Sequence, residues 1–285
     1  MSIDFLTVLE NKRNSMSKGH KCICDYILKN YDKAAYMTAS KLGAEVGKSE
    51  STVVRFASEL GFEGYPEFQQ ELRQILKNRL TSVQRIDVNL NSMNDLPTDV
   101  LENDIENIKS TIESIDKESF DKAVDNILNA KRIYIIGVRS CSGLASFLAY
   151  YFDMLFDNVK LLHTTSGSEI FEQLFSLGKD DTLIAISFPR YSKRIVDAVK
   201  FARSKNANVI AISDNLSAPI AEHANELLIA KTDISSFVDS LVSPLSVINA
   251  LIVAIGRKKK DELAKRLTRL EEIWDEYDVY QKNQQ

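Results

Sequence analysis

A chain of 285 residues, 44% hydrophobic and 27% charged, has the length and composition of two soluble domains. It contains no run of roughly 20 uncharged apolar residues with which to cross a bilayer. The net charge of −4 is unevenly divided: residues 1–80 carry +2 and the remainder −6, which allows a DNA-facing N-terminus.

The first ten residues hold acids and no basic cluster, so no signal peptide is expected. Three cysteines, two of them at Cys22 and Cys24, make no even disulfide framework, and reduced thiols in a cytoplasm follow. His20, Cys22 and Cys24 spread round two faces of a helix and lack a fourth ligand, so no metal is expected.

Residues 1–80 contain no credible strand. Ser17 is placed to cap a helix reaching Asn30, with Ile23, Tyr26 and Ile27 on one face. Thr38 caps a short helix, Ala39 to Val46, which turns Leu42 and Val46 inward. Gly47 breaks it, and Ser49 caps a second helix, Glu50 to Leu60, with Val53, Phe56, Ala57 and Leu60 inward; Gly61 ends it. Helix, glycine turn, helix is the helix-turn-helix arrangement, although short amphipathic hairpins are common. Its second helix would enter the major groove of operator DNA. Ser49, Ser51, Thr52 and Arg55 would face bases or phosphates, and Lys48 a phosphate at the turn. Pro66 opens a further helix to about Leu80.

Residues 81–97 lose periodicity and end in proline, which marks a linker. Thr98 or Asp99 caps the next helix. Its stripe Leu101, Ile105, Ile108, Ile112 and Ile115, spaced 4-3-4-3, packs on its own core or pairs with a second subunit.

Five short apolar segments follow, alternating with helices: 132–138, 159–164, 181–187, 207–213 and 226–230. Unalternating apolar strands separated by helices predict a five-stranded parallel, doubly wound sheet, with ligands beyond the strand C-termini. The first strand runs into Ser140-Cys141-Ser142-Gly143 before an apolar helix, Leu144 to Phe156. The third runs into Phe188-Pro189-Arg190-Tyr191-Ser192 before a helix from Lys193 to Ser204. Small, hydroxyl-bearing turns at helix N-termini are anion cradles. No G-x-G-x-x-G and no Walker lysine accompany them, so a sugar phosphate fits better than a nucleotide and no cofactor is expected.

Ser140, Ser142, Ser187 and Ser192 offer hydroxyls to phosphate oxygens, though each alone is as readily an N-cap. Arg190 is the preferred phosphate cation, and Arg139 points to the same site, to solvent or to a partner. Ser166 and Ser168 follow the second strand and are placed for sugar hydroxyls. Glu169 or Glu172 is the candidate base, and His223 the candidate ring-opening acid, were the chain an aldose–ketose isomerase. Glu169 is equally a first-turn acid answering a helix dipole, and His223 a surface or interface histidine. His163 belongs at a strand end near the ligand. Leu263, Leu267, Leu270, Trp274 and Tyr277 then form a seam on a last helix, Asp261 to Tyr280, that seeks a partner.

Three words carry a family resemblance: Ile136-Gly137-Val138-Arg139-Ser140-Cys141-Ser142-Gly143, Ile186-Ser187-Phe188-Pro189-Arg190-Tyr191-Ser192, and Ala211-Ile212-Ser213-Asp214. Together they resemble the sugar isomerase (SIS) domain. Thr52-Val53-Val54-Arg55-Phe56 with Leu60-Gly61-Phe62-Glu63-Gly64-Tyr65-Pro66-Glu67-Phe68 resembles the DNA-binding domain of RpiR-type bacterial transcription regulators.

The resemblance implies an all-α helix-turn-helix domain over 1–80, a linker over 81–97, and an α/β SIS domain over 98–285. It also implies operator DNA and a phosphosugar as partners, in a homodimer or tetramer without a membrane or a catalytic role. An appended helical domain on a phosphosugar isomerase is the alternative.

Overall fold

The computed structural model describes residues 5–79, 95–163, 169–232 and 238–280. They fall into two compact units that part between Leu96 and Pro97.

The first unit is helical: α1 (Phe5–Arg13), α2 (Lys18–Lys29), α3 (Tyr31–Ala34), α4 (Ala39–Glu45), α5 (Glu50–Glu59) and α6 (Tyr65–Arg79). Ser17, Thr38 and Ser49 cap α2, α4 and α5, each accepting a backbone N–H three residues on. Ile23, Ile27, Leu42, Val53, Phe56 and Phe68 close one core, with Phe56 and Phe62 edge-on to Phe68 at 5.7 and 5.5 Å. Val46 and Leu60, expected inside, are half-buried at the helix ends. From α6, the Tyr65 hydroxyl and the Gln69 amide both donate to Met37 O at 2.7 Å. These bonds satisfy a carbonyl that the short α3 leaves behind. Burial pushes the Tyr65 phenol up to about 12.

Between α4 and α5 the chain turns at Gly47, whose φ of +66° suits glycine. A less obvious glycine sets how closely the two helices approach. A Cβ on Gly43 would lie 2.7 Å from Lys48 O, and Gly43 O itself accepts the Lys48 N–H at 2.8 Å.

The second unit opens with α7 (Leu96–Ser114) and α8 (Lys117–Leu128). A five-stranded sheet and its helices follow: β1 (Ile133–Gly137), α9 (Cys141–Leu155), β2 (Val159–Leu161), α10 (Glu169–Gln173), β3 (Thr182–Ile186), α11 (Lys193–Ser204), β4 (Asn208–Ser213) and β5 (Glu226–Ile229). Two long helices close it, α12 (Val242–Lys258) and α13 (Lys260–Glu276).

All strands are parallel in the order β2-β1-β3-β4-β5, with Gly137 level with Ile186. The five predicted strands are present, each one to three residues shorter than expected. Both faces are covered, as unalternating strands require. Ile133, Ile135, Ile184 and Ile186 pack on the side of α8, α9 and α12; Tyr134, Ile136, Leu183 and Ala185 pack on the side of α10 and α11. At the N-terminal ends of the central strands Arg132 grips the buried Asp181 through Nε and Nη2, at 3.0 and 2.8 Å, tying the start of β1 to that of β3.

Two helix expectations need correction. The helix after β1 starts at Cys141, three residues before Leu144, because the small Ser140-Cys141-Ser142-Gly143 segment, expected as a turn, is wound into its first turn. The last predicted linker residue, Pro97, already belongs to α7, and the linker residues 81–94 lie outside the described residues. On α13 the seam residues Leu263, Leu267, Leu270 and Trp274 are half-buried, while Tyr277 is 72% exposed.

Gly43→Ala is expected to lower the stability of the helical unit by about 1–3 kcal/mol, because the new methyl meets backbone that cannot yield. A urea titration of the full chain, followed by hydrogen exchange at α4 and α5, measures it.

Candidate functional site

The strand order reverses direction between β1 and β3. From β1 the chain moves outward to β2, and from β3 it moves the other way to β4. Right-handed crossovers therefore send α9 and α11 to opposite faces, and the two turns part from neighbouring strand ends. The crevice between them is where ligands bind in such sheets.

Gly137 makes the first turn tight. A Cβ there would collide with the carbonyl of Cys141 and stand 3.0 Å from the Ala145 methyl, so glycine lets α9 start against the end of β1. Ser140 is the N-cap residue, yet its hydroxyl makes no cap bond and is exposed. Ser142 lies inside the helix, exposed, with its hydroxyl donating to Arg139 O at 2.6 Å. The expected row of open N–H groups is shorter than anticipated, since Cys141 N–H and Ser142 N–H donate to Val138 O and Arg139 O. Gly143, exposed, has nothing within 4 Å of where a Cβ would stand, leaving room over the first turn of α9.

In the second turn Ser187 is buried at 2%, its N–H on Ile212 O and its carbonyl accepting the Ser213 hydroxyl at 2.7 Å. Ser192 occupies the N-cap position of α11 without a cap bond from its side chain, so its hydroxyl, half-buried, is not tied to its own helix. Arg139 and Arg190 are both exposed and both left-handed, with φ of +56° and +65°.

Beneath this turn lies a polar network that sequence reasoning missed. Asp214, 1% exposed, accepts the Tyr191 hydroxyl at 2.8 Å and the Asn215 amide at 2.8 Å, with the Ser213 hydroxyl, whose proton goes to Ser187 O, 3.3 Å away. Burial, then the Asp214 charge, raises the Tyr191 phenol well above its usual range, so it remains a donor. The signal was available in Ala211-Ile212-Ser213-Asp214, a buried strand ending on an acid.

Near β2, Gln173 was also missed. Its amide donates to His163 O and its carbonyl oxygen accepts the His163 N–H, at 2.8 and 3.0 Å, pinning both flanks of residues 164–168. Ser166 and Ser168 lie outside the described residues. Glu169 is the half-buried first residue of α10, a helix of five residues. His163 is exposed just beyond β2, and His223 is half-buried in a single turn at Ala221–His223.

In the helical unit, Lys48 and Ser49, just before α5, and Ser51 and Arg55 on it are exposed, and Thr52 is half-buried. Ser49, Ser51 and Thr52 cluster: the Ser49 hydroxyl stands 3.0 Å from that of Ser51 and 2.8 Å from that of Thr52. His20 turns away to meet Glu59 at 2.5 Å, and Cys24 is buried toward Leu9 O, so the two do not converge with Cys22. Among the described residues no group of His, Cys, Asp or Glu is arranged to hold a metal, and no helix is long and apolar enough to cross a membrane.

Comparison with known proteins assigns both units. Residues 3–79 match the helix-turn-helix domain of the rpiR family, and residues 126–254 match the SIS domain. An uncharacterized helix-turn-helix regulator of Clostridium perfringens is 28% identical over 217 residues, 75% of this chain and 77% of that protein. HexR of Escherichia coli is 23% identical over 283 residues, 96% of this chain and 95% of its own length.

Among solved structures, the sugar isomerase domain of an RpiR transcription factor from Sphaerobacter thermophilus is 26% identical. It superposes with a TM-score of 0.60, over 63% of this chain and 99% of that one. NanR of Vibrio vulnificus, solved with ManNAc-6P, shares the fold at a TM-score of 0.60 and 20% identity, over 95% of this chain and 98% of its own.

A helix-turn-helix unit followed by a SIS unit defines a transcriptional regulator. The chain belongs to the RpiR family.

Tyr191→Phe removes one of the donors that hold Asp214. It is expected to cost about 1–2 kcal/mol and to speed amide exchange through residues 188–192. Hydrogen exchange followed by mass spectrometry reads this directly, and unchanged protection there would detach the turn from the network.

Proposed function

We propose that this chain is a phosphosugar-responsive regulator that binds operator DNA through α5 and a sugar phosphate in the crevice between β1 and β3. The observation that carries the reading is the pairing of two hydroxyl-bearing turns, each with an arginine, on adjacent strand ends of a SIS domain. Phosphate oxygens are met by the hydroxyls of Ser140, Ser142, Ser187 and Ser192 and by Arg190. Ser166 and Glu169 meet the sugar hydroxyls. On DNA, Lys48 and Ser49 hold phosphates while Ser51, Thr52 and Arg55 reach the groove. The complex of NanR with ManNAc-6P supports a phosphorylated amino sugar or hexose as the class of effector.

The regulator works as a homodimer in the cytoplasm, with two recognition helices on paired half-sites. A phosphosugar that binds one arrangement of the dimer better than the other changes operator affinity by that same factor. No reaction is assigned to the chain, which acts as a sensor.

Arg55→Ala is expected to abolish operator retention in a gel shift while phosphosugar binding persists, and Ser142→Ala with Ser187→Ala to do the reverse. Normal retention by Arg55→Ala would overturn the groove assignment. Phosphorus NMR with hexose, pentose and amino-sugar phosphates in turn identifies the effector. Broadening or shift without conversion is the sensor's signature, whereas resonances growing with time would make the chain an isomerase. Gly143→Ala, which meets nothing in the protein, is expected to raise thermal stability by up to about 1 kcal/mol and to weaken the effector.

A further inference from the structure

Helix α7 is built with its polar side inward. Asn107 and Thr111 are 2% and 4% exposed; the Thr111 hydroxyl donates to Asn107 O at 2.7 Å and accepts the Lys231 N–H at 2.8 Å. Asp104, one turn earlier, accepts the Ser240 hydroxyl at 2.5 Å. The apolar stripe lies on the outside: Leu101 is 63%, Ile105 50% and Ile112 66% exposed, with Ile108 half-buried between them. Helices turn their apolar stripe to the core of their own domain. Single exposed aliphatic residues are ordinary, but a row at coiled-coil spacing marks a surface that something covers.

We infer that this stripe is the seam on which a second copy of the chain docks, α7 against α7, antiparallel about a two-fold axis. The inference rests on the homodimer proposed above and names its surface. The spacing assigns Ile105 and Ile112 to one core position of the heptad, and Leu101 and Ile108 to the other. An antiparallel pairing sets Leu101 of one copy against Ile112 of the other, and Ile105 against Ile108. One flank of the stripe, Asp104 and Thr111, is already bonded to its own domain, so the second copy approaches over the other flank, Glu102 and Lys109.

Charge selects the orientation. Lys109 is the one base of α7, against the acids Asp99, Glu102, Asp104, Glu106 and Glu113. The antiparallel register brings Lys109 of each copy beside Glu102 of the other, twice by symmetry. Both side chains are exposed and able to move, Lys109 now lying 2.7 Å from Glu106. A parallel pairing would instead set Lys109 against Asp104, which Ser240 occupies, and stack two acidic first turns together.

Sedimentation equilibrium of the full chain tests the seam. Ile105→Lys with Ile112→Lys is expected to raise the dimer dissociation constant at least 100-fold while effector binding by phosphorus NMR persists. Lys109→Glu and Glu102→Lys are each expected to weaken the dimer about two- to tenfold, and together to restore it. The exposed charge-swap set decides the matter should the lysine pair fail to fold. A dimer that survives the lysine pair, or charge swaps that do not restore each other, would overturn the seam and leave the homodimer standing. A wild-type chain that sediments as a monomer would overturn both.

Discussion

The reversal of strand order between β1 and β3 is the constraint on which the α/β unit depends. Crossovers are right-handed, so a chain that leaves neighbouring strands in opposite directions must place α9 on one face and α11 on the other. Two consequences follow from the same geometry. Each face of the sheet receives its own apolar layer, which is why the middles of the central strands are apolar on both faces. The two turns separate at the strand ends, which opens a crevice between them.

Keeping that crevice open has a cost, and the structure shows where it falls. A carboxylate 1% exposed at Asp214 would be strongly unfavourable alone, and the Tyr191 hydroxyl and the Asn215 amide answer its two oxygens. Those donors belong to the loop after β4 and the turn after β3, and the Ser213 hydroxyl at the end of β4 holds Ser187 O beside them. The network therefore fixes the second turn from below, while Gly137 fixes the first by letting α9 close on the strand. One turn is held by hydrogen bonds and the other by the absence of a side chain.

Much of this was legible in the amino-acid order because the signals are local. The caps at Ser17, Thr38 and Ser49 bond to residues three positions on, and each strand is an apolar run between breakers. What was not legible required distant partners. Whether Ser140 to Gly143 winds into α9 depends on Gly137 beneath it, and no periodicity in four small residues reports that. The Asp214 network joins residues 23 apart or more through Tyr191 and Ser187. The stripe on α7 was visible as a stripe, but spacing alone cannot say which side of a helix is covered. The buried side is decided by Thr111 meeting Lys231, 120 residues away.

Backbone conformation adds an argument about Arg139 and Arg190 that composition could not supply. Both are left-handed, where a Cβ crowds the following carbonyl and glycine would be cheaper by roughly 1 kcal/mol. Left-handed residues let each strand turn into its helix within a few positions, so some residue must accept the strain. That arginine accepts it twice, at the mouth of one crevice, argues that the charge is needed there more than the relaxed backbone. Both guanidinium groups are exposed, so neither is desolvated before a ligand arrives. The two turns thus bring two cations to the crevice, beside the N-terminal ends of α9 and α11. Two such cations are what the phosphorylated ligand proposed above would meet first, before any hydroxyl is read.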